Sequence, residues 1–205
     1  MGRRFHRNFE SQRSRKQNTR ERLNKIIIFC EGEKTEKLYF SNFKQSTRCE
    51  IKILETNAKD AESIVKEVVR KKDQYDSKDI IWCVFDVDNN TNQQLINAKT
   101  IANRHNVKIS LSNPSFEIWF YLHYEYTTRY FLNNDLIHQL NNHISNYEKN
   151  KNVYHLLASY EEVAISNAHK LVEHQRNLGN EIFSRDSNPV TLVHELLSNI
   201  YKFKR

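Results

Sequence analysis

Lys25-Ile-Ile-Ile-Phe-Cys-Glu-Gly-Glu-Lys-Thr-Glu36 decides how the rest of the chain is understood. Ile26 to Cys30 is an unbroken apolar run rich in β-branched residues, the composition of a strand buried on both faces. It stops at Glu31-Gly32, where a polar, helix-competent segment begins. An acidic residue at the tip of a buried strand, followed by glycine at a tight turn, directs a carboxylate out of the carboxyl edge of the sheet. Open α/β sheets bind their ligands at that edge. A merely acidic surface loop would look the same, so this stretch alone leaves function open.

A second stretch repeats the arrangement. In Asp79-Ile-Ile-Trp-Cys-Val-Phe-Asp-Val-Asp88 the apolar strand Ile80–Phe85 ends in Asp86-Val87-Asp88. Alternate residues of an extended backbone share a side, so Asp86 and Asp88 can converge on one cation while Val87 faces the core. Two strand ends delivering carboxylates to one edge favour a Mg²⁺ (or Mn²⁺) site, because a hard cation takes oxygen ligands and needs few carboxylates. Asp-rich loops also cap helices, which is the plainer explanation.

The 205-residue chain can bury a real core as one domain, and its 3 glycines and 2 prolines argue against linker-like or many-turned β character. No apolar run approaches the roughly 20 residues that span a bilayer. The Arg-rich start lacks the apolar core of a secretory signal, so a cytoplasmic protein with no membrane partner is expected. The net charge of +7 is concentrated at that start. Residues 1–25 hold Arg3, Arg4, Arg7, Arg13, Arg15, Lys16, Arg20, Arg22 and Lys25 against Glu10 and Glu21, and the other residues balance to zero. Such an arm suits nucleic-acid phosphate through counterion release, and a solubilising tail is the plainer alternative. Cys30, Cys49 and Cys83 form no C-x-x-C pair and read as reduced core thiols, and the 9 histidines show no zinc-ligand spacing.

The chain divides into a basic arm at 1–24, an α/β domain at 25–125 and a helical C-terminal extension at 126–205 packed on the same domain. The patterns predict helices over about 34–44, 60–74 (capped by Asp60) and 92–105, and strands at Glu50–Glu55 and 107–111. Strand and helix alternate four times, which predicts a four-stranded parallel sheet flanked by helices. Ser112-Asn-Pro-Ser-Phe-Glu-Ile-Trp-Phe-Tyr-Leu-His123 opens a further helix with Pro114 in its first turn. Phe116, Trp119, Phe120 and His123 share its apolar face, as core residues rather than base-stacking ones. Glu117 lies off that face in the first turn, where the helix dipole favours a carboxylate. Further helices are expected at 135–147, 160–177 and 189–201, the last begun by Asn188-Pro189, with 141–152 an exposed connection. No Gly-rich phosphate loop is present in the sequence.

Cys-Glu-Gly-Glu-Lys-Thr-Glu-Lys-Leu-Tyr-Phe (30–40), Val-Phe-Asp-Val-Asp (84–88) and Ser-Asn-Pro-Ser-Phe-Glu-Ile-Trp-Phe (112–120) together resemble the RloB-like family, as do Asn-Pro-Val-Thr-Leu-Val-His (188–194) and the Arg-rich leader. The similarity runs from about residue 3 to 200. It implies a Toprim-like (Rossmann-like) domain and a Mg²⁺-dependent endonuclease in bacterial anti-phage, abortive-infection or restriction-linked loci, often beside an ATPase partner. It implies catalytic roles for Glu31, Asp86 and Asp88. The metal would be held by Asp86 and Asp88 with Glu36 or Glu117, Glu33 being an alternative to Glu36. Glu31 would serve as general acid/base or as a ligand. The arm and Lys34, beside Lys37, would hold the RNA or DNA backbone without reading bases.

Haloacid-dehalogenase-type phosphatases also place Asp-x-Asp after a hydrophobic strand. Here the motif follows the third strand rather than the first, Asn90 replaces the expected Thr or Val, and the arm would go unexplained. The stronger competitor is a non-catalytic nucleic-acid-binding or regulatory subunit of an ATPase-containing defence complex, with a structural acidic cluster.

Overall fold

The computed structural model describes residues 24–32, 34–88 and 90–204. Its centre is β1 (Lys25–Cys30), in which Ile26 to Cys30 are all 0% exposed, as an all-apolar run between two helical layers must be. α1 (Thr35–Ser41), β2 (Glu50–Glu55), α2 (Ala61–Lys71), β3 (Ile80–Asp86), α3 (Asn92–Arg104) and β4 (Lys108–Asn113) follow. β2, β1, β3 and β4 lie side by side in that order, all parallel, with Cys30 opposite both Glu55 and Val84 and with Asp86 opposite Ser112. The register therefore brings the ends of all four strands to one edge.

Side-chain alternation distributes the strands between two cores. Ile27, Phe29, Ile81, Cys83 and Phe85 pack against Ile64, Val65 and Val68 of α2 and Leu95 and Ala98 of α3. Ile26, Ile28, Trp82 and Val84 face the other way, toward Tyr39 and Phe40 of α1 and toward the C-terminal helices. Those helices are α4 (Glu117–Tyr121), α5 (Asn133–Leu140), α6 (Tyr154–Leu157), α7 (Glu161–Asn177) and α8 (Val193–Tyr201). Leu136, Leu140, Ala168, Leu171, Leu197 and Ile200 share this core with β1, so the C-terminal half covers the sheet face that α2 and α3 leave open. Phe116, Trp119 and Phe120 are at most 2% exposed and are core residues, and the three cysteines are buried free thiols.

Four expectations need correction. The sheet has five strands: β5 (Val190–Thr191) pairs antiparallel with Asn113 and Ser112 of β4. Pro189 precedes this strand instead of starting a helix, because the strand's hydrogen bonds to the β4 edge take Val190 and Thr191 out of the helical pattern, and α8 begins only at Val193. Likewise β4 runs to Asn113, and the helix expected from Pro114 is the single turn Glu117–Tyr121; both Asn–Pro bonds, 113–114 and 188–189, are cis. The helix expected over 135–147 ends at Leu140, where turns take over that nevertheless bury Ile144 and Tyr147.

The two rims of the sheet are finished differently. β4 is closed in part by the short β5, which leads at once into α8. β2 exposes Glu50 and Glu55, with Glu50 3.2 Å from Lys25 Nζ and 3.7 Å from Lys52 Nζ, and with Glu55 paired to Lys37. Among the described residues no helix is long and apolar enough to cross a membrane.

Asp60 caps α2 as expected, accepting from Ser63 N–H at 3.0 Å. A second tie at this end is the fully buried Asn90. Its Oδ1 accepts from Ala61 N–H at 2.7 Å and its Nδ2 donates to Asp86 C=O at 2.9 Å, which fixes α2 against the end of β3. Asn90→Ala leaves both backbone groups buried without partners and should cost about 1–3 kcal/mol. The expected observation is a lower denaturant midpoint at an unchanged slope; an unchanged midpoint would mean that the tie contributes nothing.

Candidate active site at the carboxyl edge of the sheet

Glu31 follows β1 directly. Its N–H donates to Val84 C=O at 3.0 Å, extending the strand pairing by one residue, and its Oε2 accepts from Asp86 N–H at 3.1 Å. The tips of β1 and β3 are thus joined by a carboxylate. Gly32 comes next, and its importance lies in what packs on it. A Cβ there would come within 2.7 Å of Glu36 Oε1 and 2.8 Å of its Cδ, closer than real contacts allow. The absence of a side chain at 32 lets the Glu36 carboxylate, in the first turn of α1 and 5% exposed, lie against the loop backbone.

β3 delivers the Asp-x-Asp pair. Val87 is 1% exposed and joins the core, as alternation requires. Asp86 Oδ1 is buried and has no hydrogen-bond partner among the described residues, whereas Asp88 Oδ2 accepts from Asn133 Nδ2 of α5 at 2.8 Å.

Glu117 enters from the end of β4 and is 1% exposed, not turned away from the apolar face as its position in the sequence suggests. Burial is possible because its oxygens are served. Ser115 Oγ donates to Oε2 at 2.7 Å, Tyr147 OH donates to Oε1 at 2.9 Å, and Lys149 Nζ lies 3.5 Å from Oε2. Lys149 is held in turn by Thr35 Oγ1, which donates to its C=O at 3.0 Å. Tyr147 and Lys149 belong to the connection expected to be exposed, and with Ser115, Asn90 and Asn133 they are the participants that sequence patterns miss. The one available signal was the isolated aromatic Tyr147 in a polar stretch.

These residues surround a cleft of about 400 Å³. Glu31, Glu36, Asp86, Asp88 and Glu117 line it together with Lys34, Lys59 and Lys149. The expected acids Glu31, Glu36, Asp86, Asp88 and Glu117 are therefore gathered at one place, with Lys34 exposed on the rim. The arm residues Arg3, Arg4, Arg7, Arg13, Arg15, Lys16, Arg20 and Arg22 lie outside the described residues, as does Glu33.

Burial and mutual repulsion set the protonation of these acids. Burial pushes the Glu31 carboxyl up to about 7, assisted by the charges of Asp88 and Glu36 and opposed by the Asp86 N–H bond. Glu36 is raised by burial and by Glu117. Asp86 is raised well above the carboxylate range by burial and then by Glu36, Glu117, Glu31 and Asp88. Burial lowers Lys149, but Glu117, Asp86 and Glu36 outweigh it and the ammonium is raised overall.

The donor set is entirely carboxylate oxygen, and the unpartnered Asp86 Oδ1 is an orphan acceptor that a hard cation would satisfy. Among the described residues, however, no three His, Cys, Asp or Glu side chains form a group that would hold a metal ion unaided. Mg²⁺ fits such a place better than most metals, because it keeps several waters and commonly takes one or two carboxylates together with substrate phosphate.

Fold and cleft define an α/β protein with a mostly parallel five-stranded sheet and an acidic cleft at its carboxyl edge. More specifically, the chain belongs to the RloB-like protein family, whose model matches residues 26–200. Neither curated proteins nor solved structures yield a match.

A carboxyl raised from 4.5 to about 7 keeps in the folded chain a proton that the unfolded chain releases. Its stabilising contribution is full below about pH 4.5 and is lost as pH rises through about 7. Without divalent cation, the melting temperature should therefore fall between about pH 5 and about pH 8, and fall less in Glu31→Gln. Identical slopes for the two proteins would show that Glu31 is not so perturbed.

Proposed function

We propose that the chain is a Mg²⁺-dependent (or Mn²⁺-dependent) nuclease of the Toprim type that hydrolyses phosphodiester bonds in RNA or DNA, as the effector of a bacterial anti-phage, abortive-infection system with an ATPase partner. The observation that carries it is the convergence of Glu31, Glu36, Asp86, Asp88 and Glu117, from four separate segments, on one cleft rimmed by lysines. Carboxylates buried together at a sheet edge oppose folding, and such arrangements cluster at sites of chemistry.

Asp86 and Asp88 would hold the ion, with Glu36 or Glu117 in support. Neutralisation of a scissile phosphate and its leaving oxygen is the chemistry that bound Mg²⁺ supplies. Glu31, near pKa 7, is suited to take the proton of an attacking water or to return one to the leaving oxygen; service as a ligand is its alternative role. Lys149 balances Glu117 and Asp86 and stands ready for a phosphate oxygen, while Lys34 and Lys59 attract the backbone to the rim.

One observation favours a second reading. The acids do not form a closed metal-holding group among the described residues, as expected of a regulatory or nucleic-acid-binding subunit that depends on its partner for catalysis.

Cleavage of mixed RNA and DNA with Mg²⁺ or Mn²⁺ distinguishes the two. Asp86→Ala/Asp88→Ala should lose cleavage by about 100-fold or more while retaining nucleic-acid binding. Absence of cleavage by the wild type, repeated with the ATPase present, would leave the binding role.

A further inference from the structure

A smaller cavity of about 140 Å³ adjoins the acidic cleft, and Asp88 lines both. Its other walls include Val87, Pro114, Tyr130, Leu132, Asn133 and Arg185. Tyr130 and Leu132 are 63% and 60% exposed, among the largest exposures of apolar side chains in the described chain. They flank Phe131, which is 1% exposed and fastened on both sides of its backbone: its N–H donates to Asn188 Oδ1 at 3.1 Å and its C=O accepts from Asn188 Nδ2 at 2.8 Å. Leu132 C=O then accepts the first hydrogen bond of α5, from Leu136 N–H at 3.0 Å. An aromatic ring and an aliphatic side chain are therefore held out to solvent by an anchored backbone, around a cavity that Asp88 also lines.

The chemistry of the cavity suits one kind of occupant. Its volume is close to that of cavities that take a single benzene ring, about 150 Å³. Tyr130 offers a π face, on which every base can stack without regard to sequence. Arg185 is exposed at the mouth and suits a flanking phosphate. Asn133 holds Asp88 through its Nδ2, while its buried Oδ1 has no hydrogen-bond partner among the described residues. Asp88 is the residue that the two cavities share.

We propose that this cavity receives one unpaired nucleobase of the nucleic acid, stacked on Tyr130, so that the preferred substrate is single-stranded or locally unpaired at the site of attack. The assignment rests on the nuclease reading of the neighbouring cleft, but its test does not require cleavage. Heptanucleotides of RNA and DNA carrying a central 2-aminopurine would be titrated in EDTA against wild type, Tyr130→Phe and Tyr130→Ala. Wild type and Tyr130→Phe should quench the fluorescent base on binding. Tyr130→Ala should bind roughly 5- to 150-fold more weakly, from the ~1–3 kcal/mol that one stacked base contributes. An abasic residue in place of the 2-aminopurine should remove the difference between wild type and Tyr130→Ala. Equal affinity and equal quenching in Tyr130→Ala would overturn the base pocket, even if the wild type cleaves with metal added. Tyr130-dependent quenching in a protein that never cleaves would uphold the pocket and refute only the nuclease reading.

Discussion

The carboxylate of Glu117 is the constraint on which the site depends. A buried carboxyl group is tolerated only where hydrogen bonds and a counter-charge replace the lost water. Here Ser115, Tyr147 and Lys149 provide them. Ser115 is local to Glu117, but Tyr147 and Lys149 lie together in the connection after α5, so satisfying one acid folds that connection back over the sheet edge. Through Thr35 the same connection is fastened to α1. The cleft's far wall therefore exists because an acid had to be accommodated, and the ammonium of Lys149 reaches the other acids as a result.

Around that anchor the remaining acids are in mutual conflict. Glu31, Glu36 and Asp86 all hold their protons more tightly than free carboxyls do, for the same two reasons of burial and neighbouring negative charge. An arrangement selected only for stability would have used apolar residues at this edge, since buried charges add little that packing does not. Natural proteins retain such conflicts where function requires them.

The parts of the fold visible in the sequence were those written in short-range periodicity. The apolar run Ile26–Cys30 predicts a doubly buried strand and forms one, and Asp60 caps α2 as its position predicts. Alternation also placed Val87 in the core. The features that short-range patterns do not carry depend on contacts distant along the chain. Helical spacing places Glu117 off the apolar face, and its burial depends on Tyr147 and Lys149, about thirty residues on, as well as on nearby Ser115. Pro189 looked like a helix start because local propensity knows nothing of the β4 edge waiting to pair with Val190 and Thr191. At Gly32 the sequence points to a tight turn, and the structure adds that the missing side chain makes room for a carboxylate four residues later.

The rims of the sheet carry a further consequence. An unpaired strand is a template onto which another chain can dock and extend the sheet, the route to many unwanted aggregates. On one side, the two-residue β5 occupies part of β4 and turns immediately into a helix, too short to offer a new template. On the other, β2 presents Glu50, Lys52 and Glu55, so an incoming strand would have to displace their ion pairs and meet their charge. Self-association by strand addition is thus opposed at both ends, and a multi-protein assembly built on this chain would be expected to use its helical and loop surfaces.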